Sequence, residues 1–168
     1  VYFALWAPHA KYVAVIGEFN GWDKGAHPMY YRQDGSGVWE CFIEGVEKGA
    51  VYKYWLESHF HGYAQEKSDP YAFFWEVAPK SGSRTWSLEY EWGDEAWMKE
   101  RGGKNSIHAP VSIYELHVGS WRRVPEEDNR PLTYRELADE LAPYLAETGF
   151  THVELLPVTE HPYHGSWG

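Results

Sequence analysis

The residue pattern changes near position 88, and this change constrains the fold more than any other feature of the chain. Up to that point, short aromatic and β-branched runs are separated by clusters of Gly, Asn, Asp and Pro, with no sustained helical period. In the last of these runs, Lys53, Trp55 and Glu57 share one face and apolar residues share the other. We therefore predict an all-β, immunoglobulin-like sandwich over residues 1–88, with strands at 3–6, 12–16, 37–44 and 51–57.

The second half of the chain alternates strand and helix patterns. Residues 111–118 form a strand-length run, and Thr133 with Glu136 has the spacing of a capping box at a helix start. A helix is expected from there to a glycine C-cap, with a kink or restart at Pro143 because proline lacks an N–H. Residues 151–156 then predict a buried strand, which completes one right-handed βαβ unit.

These patterns divide the chain into a sandwich at 1–88, a linker at 89–110 and a βαβ domain at 111–168. One βαβ unit cannot cover both faces of its two parallel strands, so we expect the rest of that domain to be missing. The chain also starts with Val1 rather than Met and ends at Gly168, before another element is completed. We expect it to be a segment of a longer protein.

Charge and cysteine content exclude several classes of function. Fifteen Lys and Arg against 25 Asp and Glu give a net charge of −10, which argues against nucleic-acid or anionic-membrane partners. The single Cys41 excludes an internal disulfide framework, and no apolar run approaches a membrane span, so a cytoplasmic location is expected. Aromatic residues make up 18% of the chain, more than core packing normally requires, and some of these rings are expected to face a ligand.

The turn at residues 17–23 is the first candidate site. Its glycines and polar residues are expected to push Trp22 out of the sandwich, where an indole stacks on the apolar face of a sugar ring. The alternative is that Trp22 caps the sandwich core. Lys53 lies on the polar face of its strand, where it either bonds sugar hydroxyls or is only a solvated charge.

The second half offers two further candidate sites. Glu115 and Glu154 can face each other across adjacent strands as a carboxylate pair, but catalytic groups of parallel barrels lie at strand ends, which favours a packed interior role. His161 and His164 have HxxH spacing, but Pro162 and the lack of a third ligand argue against zinc. Instead, the loop after the second strand is expected to form a glucan-binding wall from Glu160, His161, Ser166 and Trp167.

The first half resembles the carbohydrate-binding module of family 48, on residues 3–8, 13–23, 52–54 and 67–72. This module is a β-sandwich that precedes the barrel of glucan branching and debranching enzymes. The resemblance implies that Trp22 and Lys53 contact glucan. A second sugar-facing Trp of that family has no clear match, because the sequence His61-Gly62-Tyr63 stands there.

The second half resembles the start of the (β/α)8 TIM barrel of glycoside hydrolase family 13, specifically the 1,4-α-glucan branching enzymes, on residues 114–121, 149–157 and 160–168. The resemblance implies retaining cleavage of α-1,4-glucan and transfer of the chain to a 6-hydroxyl, with glycogen, amylose or amylopectin as partner and no metal or other cofactor. The catalytic carboxylates come from later strands, so the chain alone is expected to be inactive. The alternatives are a stand-alone glucan-binding module and a debranching or trehalose-releasing hydrolase.

Overall fold

A computed structural model describes residues 1–159, which form two compact units, 1–89 and 90–159. The first unit is all-β apart from the 3₁₀-helix Glu18–Asn20. Its strands are β1 (Tyr2–Trp6), β2 (Ala10–Gly17), β3 (Tyr30–Tyr31), β4 (Val38–Phe42), β5 (Val51–Ser58), β6 (Ala64–Lys67) and β7 (Ser83–Arg84).

These strands form two antiparallel sheets. One sheet has the order β1-β4-β3, and the other has the order β2-β5-β6 with β7 paired to the start of β5. Phe3 and Trp39 of the first sheet join Val13, Val15 and Tyr54 of the second in one buried cluster. The two sheets therefore pack face to face, which confirms the predicted β-sandwich.

A buried carboxylate fixes the segment that follows β6 onto the sandwich. Asp69 accepts hydrogen bonds from the hydroxyls of Tyr52, at 2.7 Å, and Tyr54, at 3.1 Å. Burial, together with the Asp69 charge, raises the pKa of both tyrosines. Both phenols therefore stay protonated and serve as permanent donors to Asp69.

The second unit begins with a helix and contains one parallel strand pair. Its 3₁₀-helix is Pro125–Glu127. Its other elements are α1 (Glu95–Lys104), β8 (Ile113–Leu116), α2 (Val118–Trp121), β9 (Arg123–Val124), β10 (Arg130–Pro131), α3 (Tyr134–Thr148) and β11 (His152–Leu155). Strands β8 and β11 pair in parallel with α3 between them, so the predicted strand–helix–strand order is present.

Helix α3 begins at the predicted capping box. The Thr133 hydroxyl accepts from the Glu136 N–H at 3.3 Å, and the Glu136 carboxylate accepts from the Thr133 N–H at 2.7 Å. Of the expected kink or restart at Pro143, the restart is wrong, since the helix runs through this residue from Tyr134 to Thr148. The carbonyl that loses its partner there belongs to Asp139, which is exposed, so water can replace the missing N–H.

Strand β11 was expected to be buried, and this expectation is wrong. All four of its residues are exposed, including Val153 and Leu155. Among the described residues, β11 pairs with β8 alone, so its other edge is open. Its apolar residues fit a sheet with further neighbours.

None of the helices within residues 1–159 is both long and apolar enough to cross a lipid bilayer.

Candidate functional site

The turn at residues 17–23 is tied to β2 by the side chain of Asn20. Its Oδ1 accepts from the Gly17 N–H at 2.9 Å, and its Nδ2 donates to the Val15 carbonyl at 2.9 Å. Gly17 has no room for a side chain, because a Cβ there would lie 2.5 Å from the Val51 carbonyl oxygen. The turn is therefore packed closely against β5 and held in one conformation.

Trp22 lies at the end of this turn in a left-handed conformation, with φ of 63°. Its N–H donates to the Gly17 carbonyl at 2.9 Å, and 38% of its surface is exposed. A bulky residue rarely adopts positive φ, and such strain is concentrated at functional positions. The partial exposure of Trp22 agrees better with a ligand-facing ring than with a cap on the core.

Lys53 lies on β5 beside the same turn. Its neighbour Tyr52 pairs with Gly17, and Lys53 itself pairs with Ile16. The ammonium group is 3.9 Å from the Glu66 carboxylate of β6, and 21% of the side chain is exposed. Both predicted glucan contacts, Trp22 and Lys53, thus lie at one end of the sheet formed by β2, β5 and β6.

Trp55 extends this surface along β5, and the sequence analysis did not assign it to a site. It lies two residues after Lys53, so both side chains project from the side of the sheet that points away from the buried core cluster. The Lys24 ammonium lies 3.4 Å from the centre of one of its rings, and its Nε1 donates to Glu57 at 3.1 Å. The strict alternation along β5 was the signal that would have identified it.

We call the surface formed by Trp22, Lys24, Lys53 and Trp55 the outer face. It offers indole rings beside two ammonium groups that can donate to hydroxyl oxygens. A pyranose presents both a C–H face and hydroxyl groups, so the chemistry of the outer face suits a sugar.

The second unit places the two predicted carboxylates side by side. Glu115 of β8 and Glu154 of β11 are in register across the parallel pair, and both are exposed. Tyr114, the neighbour of Glu115, packs against Tyr144 and Phe150 and so lies on the opposite face. Within residues 1–159, no group of three or more His, Cys, Asp and Glu side chains is arranged to hold a metal ion.

The predicted glucan-binding wall lies outside the described residues. It comprises Glu160, His161, Ser166 and Trp167.

Comparisons with known proteins match both halves of the chain to proteins with names drawn from carbohydrate chemistry. Residues 1–72 match the family model described as carbohydrate-binding module 48, isoamylase N-terminal domain. Over these residues, the β-sandwich of the first unit is therefore similar to a carbohydrate-binding module.

The whole chain is similar to 1,4-α-glucan branching enzymes, as the sequence predicted. It is 58% identical over 167 residues to the branching enzyme GlgB of Aquifex aeolicus, covering 99% of this chain and 26% of that protein. Identity to GlgB of Albidiferax ferrireducens is 52% over 166 residues, again 99% of this chain and 26% of the relative. The chain thus spans about a quarter of the length of these relatives.

The fold also matches a solved structure. The crystal structure of Klebsiella pneumoniae pullulanase complexed with maltotriose superimposes with a TM-score of 0.63 at 26% identity, covering 94% of this chain and 16% of that one.

Proposed function

We propose that the outer face binds α-1,4-glucan, the polymer of glycogen, amylose and amylopectin. The strained, partly exposed Trp22 carries this proposal, since 38% of its surface is accessible to a sugar while its backbone is fixed by the turn. Lys53 would donate hydrogen bonds to hydroxyls, and Trp55 would offer a second ring once the Lys24 side chain moves aside. The similarity of residues 1–72 to a carbohydrate-binding module supports it.

Trp22→Ala tests this proposal. We expect affinity for glycogen and amylose to fall about tenfold, because truncating a central aromatic anchor costs more than 1 kcal/mol of binding. Affinity electrophoresis in gels that contain glycogen measures the effect. Trp92→Ala is the matched control, since Trp92 is 70% exposed but lies in the second unit. Equal retardation of Trp22→Ala and the unmodified chain would rule out the outer face.

We also propose that the chain is the amino-terminal part of a 1,4-α-glucan branching enzyme. In this proposal, a (β/α)8 barrel starts after residue 110, and its first elements are β8, α3 and β11. The sandwich that precedes it is immunoglobulin-like. The enzyme cleaves an α-1,4 bond by retaining double displacement and transfers the chain to a 6-hydroxyl. The identity of 58% to a GlgB branching enzyme supports it.

Product analysis of the longer polypeptide that contains this chain tests the enzyme proposal. Branching makes α-1,6 linkages in amylose without a net gain of reducing ends, whereas a debranching or trehalose-releasing hydrolase transfers to water. New reducing ends without new branches would exclude the branching assignment.

We further propose a cytoplasmic location, a reducing compartment in which the free thiol of Cys41 is stable.

A further inference from the structure

His27 bonds the side chain that holds the Trp22 turn together, and the sequence analysis assigned it to no site. Its Nδ1 lies 2.8 Å from Asn20 Nδ2. The imidazole is half-buried, with the centre of the Phe19 ring 5.8 Å from its own. The Val15 N–H donates to the His27 carbonyl at 3.0 Å, so the backbone of His27 is fixed against β2 as well.

The backbone partners of Asn20 determine which way its side-chain amide points. Its Oδ1 faces the Gly17 N–H, which can only donate, and its Nδ2 faces the Val15 carbonyl, which can only accept. The group that meets His27 is therefore an NH2 donor. The imidazole can pair with this donor only through an unprotonated Nδ1, so the neutral ring must carry its proton on Nε2.

Protonation of the His27 ring in acid would place a proton on Nδ1 and remove this bond. Two N–H donors, one from His27 and one from Asn20, would then face each other with no acceptor between them. Because the backbone of His27 is bonded to Val15, one of the two side chains must rotate. Rotation of Asn20 would also release the N–H of Gly17, the residue whose carbonyl holds the Trp22 N–H at 2.9 Å.

No carboxylate within residues 1–159 is paired with His27. The ionisable groups of β2, of the 3₁₀-helix and of the loop up to His27 have other partners. These are Lys11 with Glu57, Tyr12 with the Lys24 carbonyl, Glu18 with the Val51 N–H, Asp23 with the Gly25 N–H, and Lys24 with Trp55. A proton on the His27 ring is therefore not offset by an ion pair, and it acts on the contact with Asn20.

We propose that His27 is a pH-sensitive switch for the Trp22 turn, in which the neutral ring holds Asn20 and protonation of the ring loosens the turn. Histidine side chains change charge between about pH 5 and 8. The intact turn accepts only the neutral ring, so the turn is held at the upper end of this range and loosens as the pH falls. This inference rests on the proposed glucan binding and adds that the affinity for glucan falls in acid.

Two measurements without glucan test the switch itself. Long-range ¹H–¹⁵N NMR at about pH 7.5 should show His27 with an unprotonated Nδ1 and a proton on Nε2. From about pH 7.5 to about pH 5.5, the hydrogen-exchange protection factor of the Trp22 N–H should fall about fivefold, the effect of one lost hydrogen bond. A proton on Nδ1 at the higher pH, or equal protection at both pH values, would overturn the proposal.

Isothermal titration with maltoheptaose at the same two pH values tests the effect on binding. The affinity of the unmodified chain should fall about fivefold at the lower pH. His27→Asn places an amide oxygen where Nδ1 stood and does not titrate, so it should bind equally at both. His27→Phe keeps a ring without an acceptor, so it should bind weakly at both. His59→Asn is the matched control and should keep the fall, since His59 is an exposed histidine of the same unit.

The outcomes separate the switch from glucan binding itself. A fall in affinity that persists in His27→Asn, or no fall in the unmodified chain, would overturn the role of His27 and leave the outer face standing. No binding of maltoheptaose by the unmodified chain at either pH would refute the outer face. The protection of the Trp22 N–H would then still decide whether His27 controls the turn.

Discussion

Trp22 combines a strained backbone with a partly exposed side chain. Holding a non-glycine residue in the left-handed region costs on the order of 1–3 kcal/mol. The bonds that Asn20 makes to Gly17 and Val15 offset this cost by fixing the turn before Trp22. The partial exposure of the ring, together with this fixed backbone, is what the proposed binding role of Trp22 rests on.

Cys41 provides a prediction at the scale of one residue. Burial raises the pKa of its thiol to about 11. At pH 8 about one thiol in a thousand is then ionised, against about a quarter for an ordinary thiol with a pKa of about 8.5. The higher nucleophilicity of such a thiolate recovers only part of this loss. Iodoacetamide should therefore alkylate the folded chain at least about tenfold more slowly than the urea-unfolded chain.

Mass spectrometry of timed samples measures both rates. The rate for the folded chain should keep rising with pH beyond 9, because the thiol of Cys41 titrates near pH 11. Equal rates in the folded and unfolded chains would show that Cys41 is not protected.

For single residues, the sequence predicted the strand face on which a side chain lies better than it predicted contacts between side chains. Alternation along β5 correctly placed Lys53 and Trp55 on one face. It did not predict Lys24 over Trp55, because that contact depends on how the segment after Trp22 folds back across the sheet. The positive φ of Trp22 was also not predicted, since the sequence pattern of the turn does not show that the residue after Gly21 adopts it too.

Helix α3 provides a prediction at the scale of an element. Two hydrogen bonds from the Arg130 guanidinium, and bonds from Thr133, lower the pKa of Glu136 to about 2. The pKa in the unfolded chain is about 4.3, so this carboxylate stabilises the fold above that pH and stops doing so as the pH falls through about 2. Glu136→Gln should lower the free energy of unfolding at pH 7, with the difference from the unmodified chain disappearing near pH 2.

Urea unfolding followed by far-ultraviolet circular dichroism at several pH values measures this difference. Asp139→Asn is the control, because Asp139 is an exposed carboxylate inside the same helix. A difference for Glu136→Gln that stays constant from pH 7 to pH 2 would contradict the assigned role of the carboxylate.

Elements defined by local contacts were predicted well from the sequence, and burial was predicted less well. The capping box needs only Thr133 and Glu136 three residues apart, so it is visible in the sequence. Burial of β11 depends on neighbours on both of its sides, and apolar residues such as Val153 show only that such neighbours suit the strand. The pattern was therefore right about strand formation and wrong about exposure in this structure.

At the scale of the whole molecule, the two units have separate cores and different chemistry. The first unit carries the outer face, and the second carries the parallel strands that contain Glu115 and Glu154. The net charge of −10 disfavours anionic partners and has little effect on a neutral glucan. The proposed glucan binding should thus belong to the first unit.

This division predicts that residues 1–168 alone form no α-1,6 branches in amylose. Retaining cleavage needs a general acid and a nucleophile about 5 Å apart on either side of the scissile bond, placed at the strand ends of a barrel. Glu115 and Glu154 lie within their strands and project from one face of a single βαβ unit. Isoamylase digestion followed by chain-length analysis detects branches, and retardation of the same preparation by glycogen shows that it is folded. Branches formed by this chain would overturn this prediction.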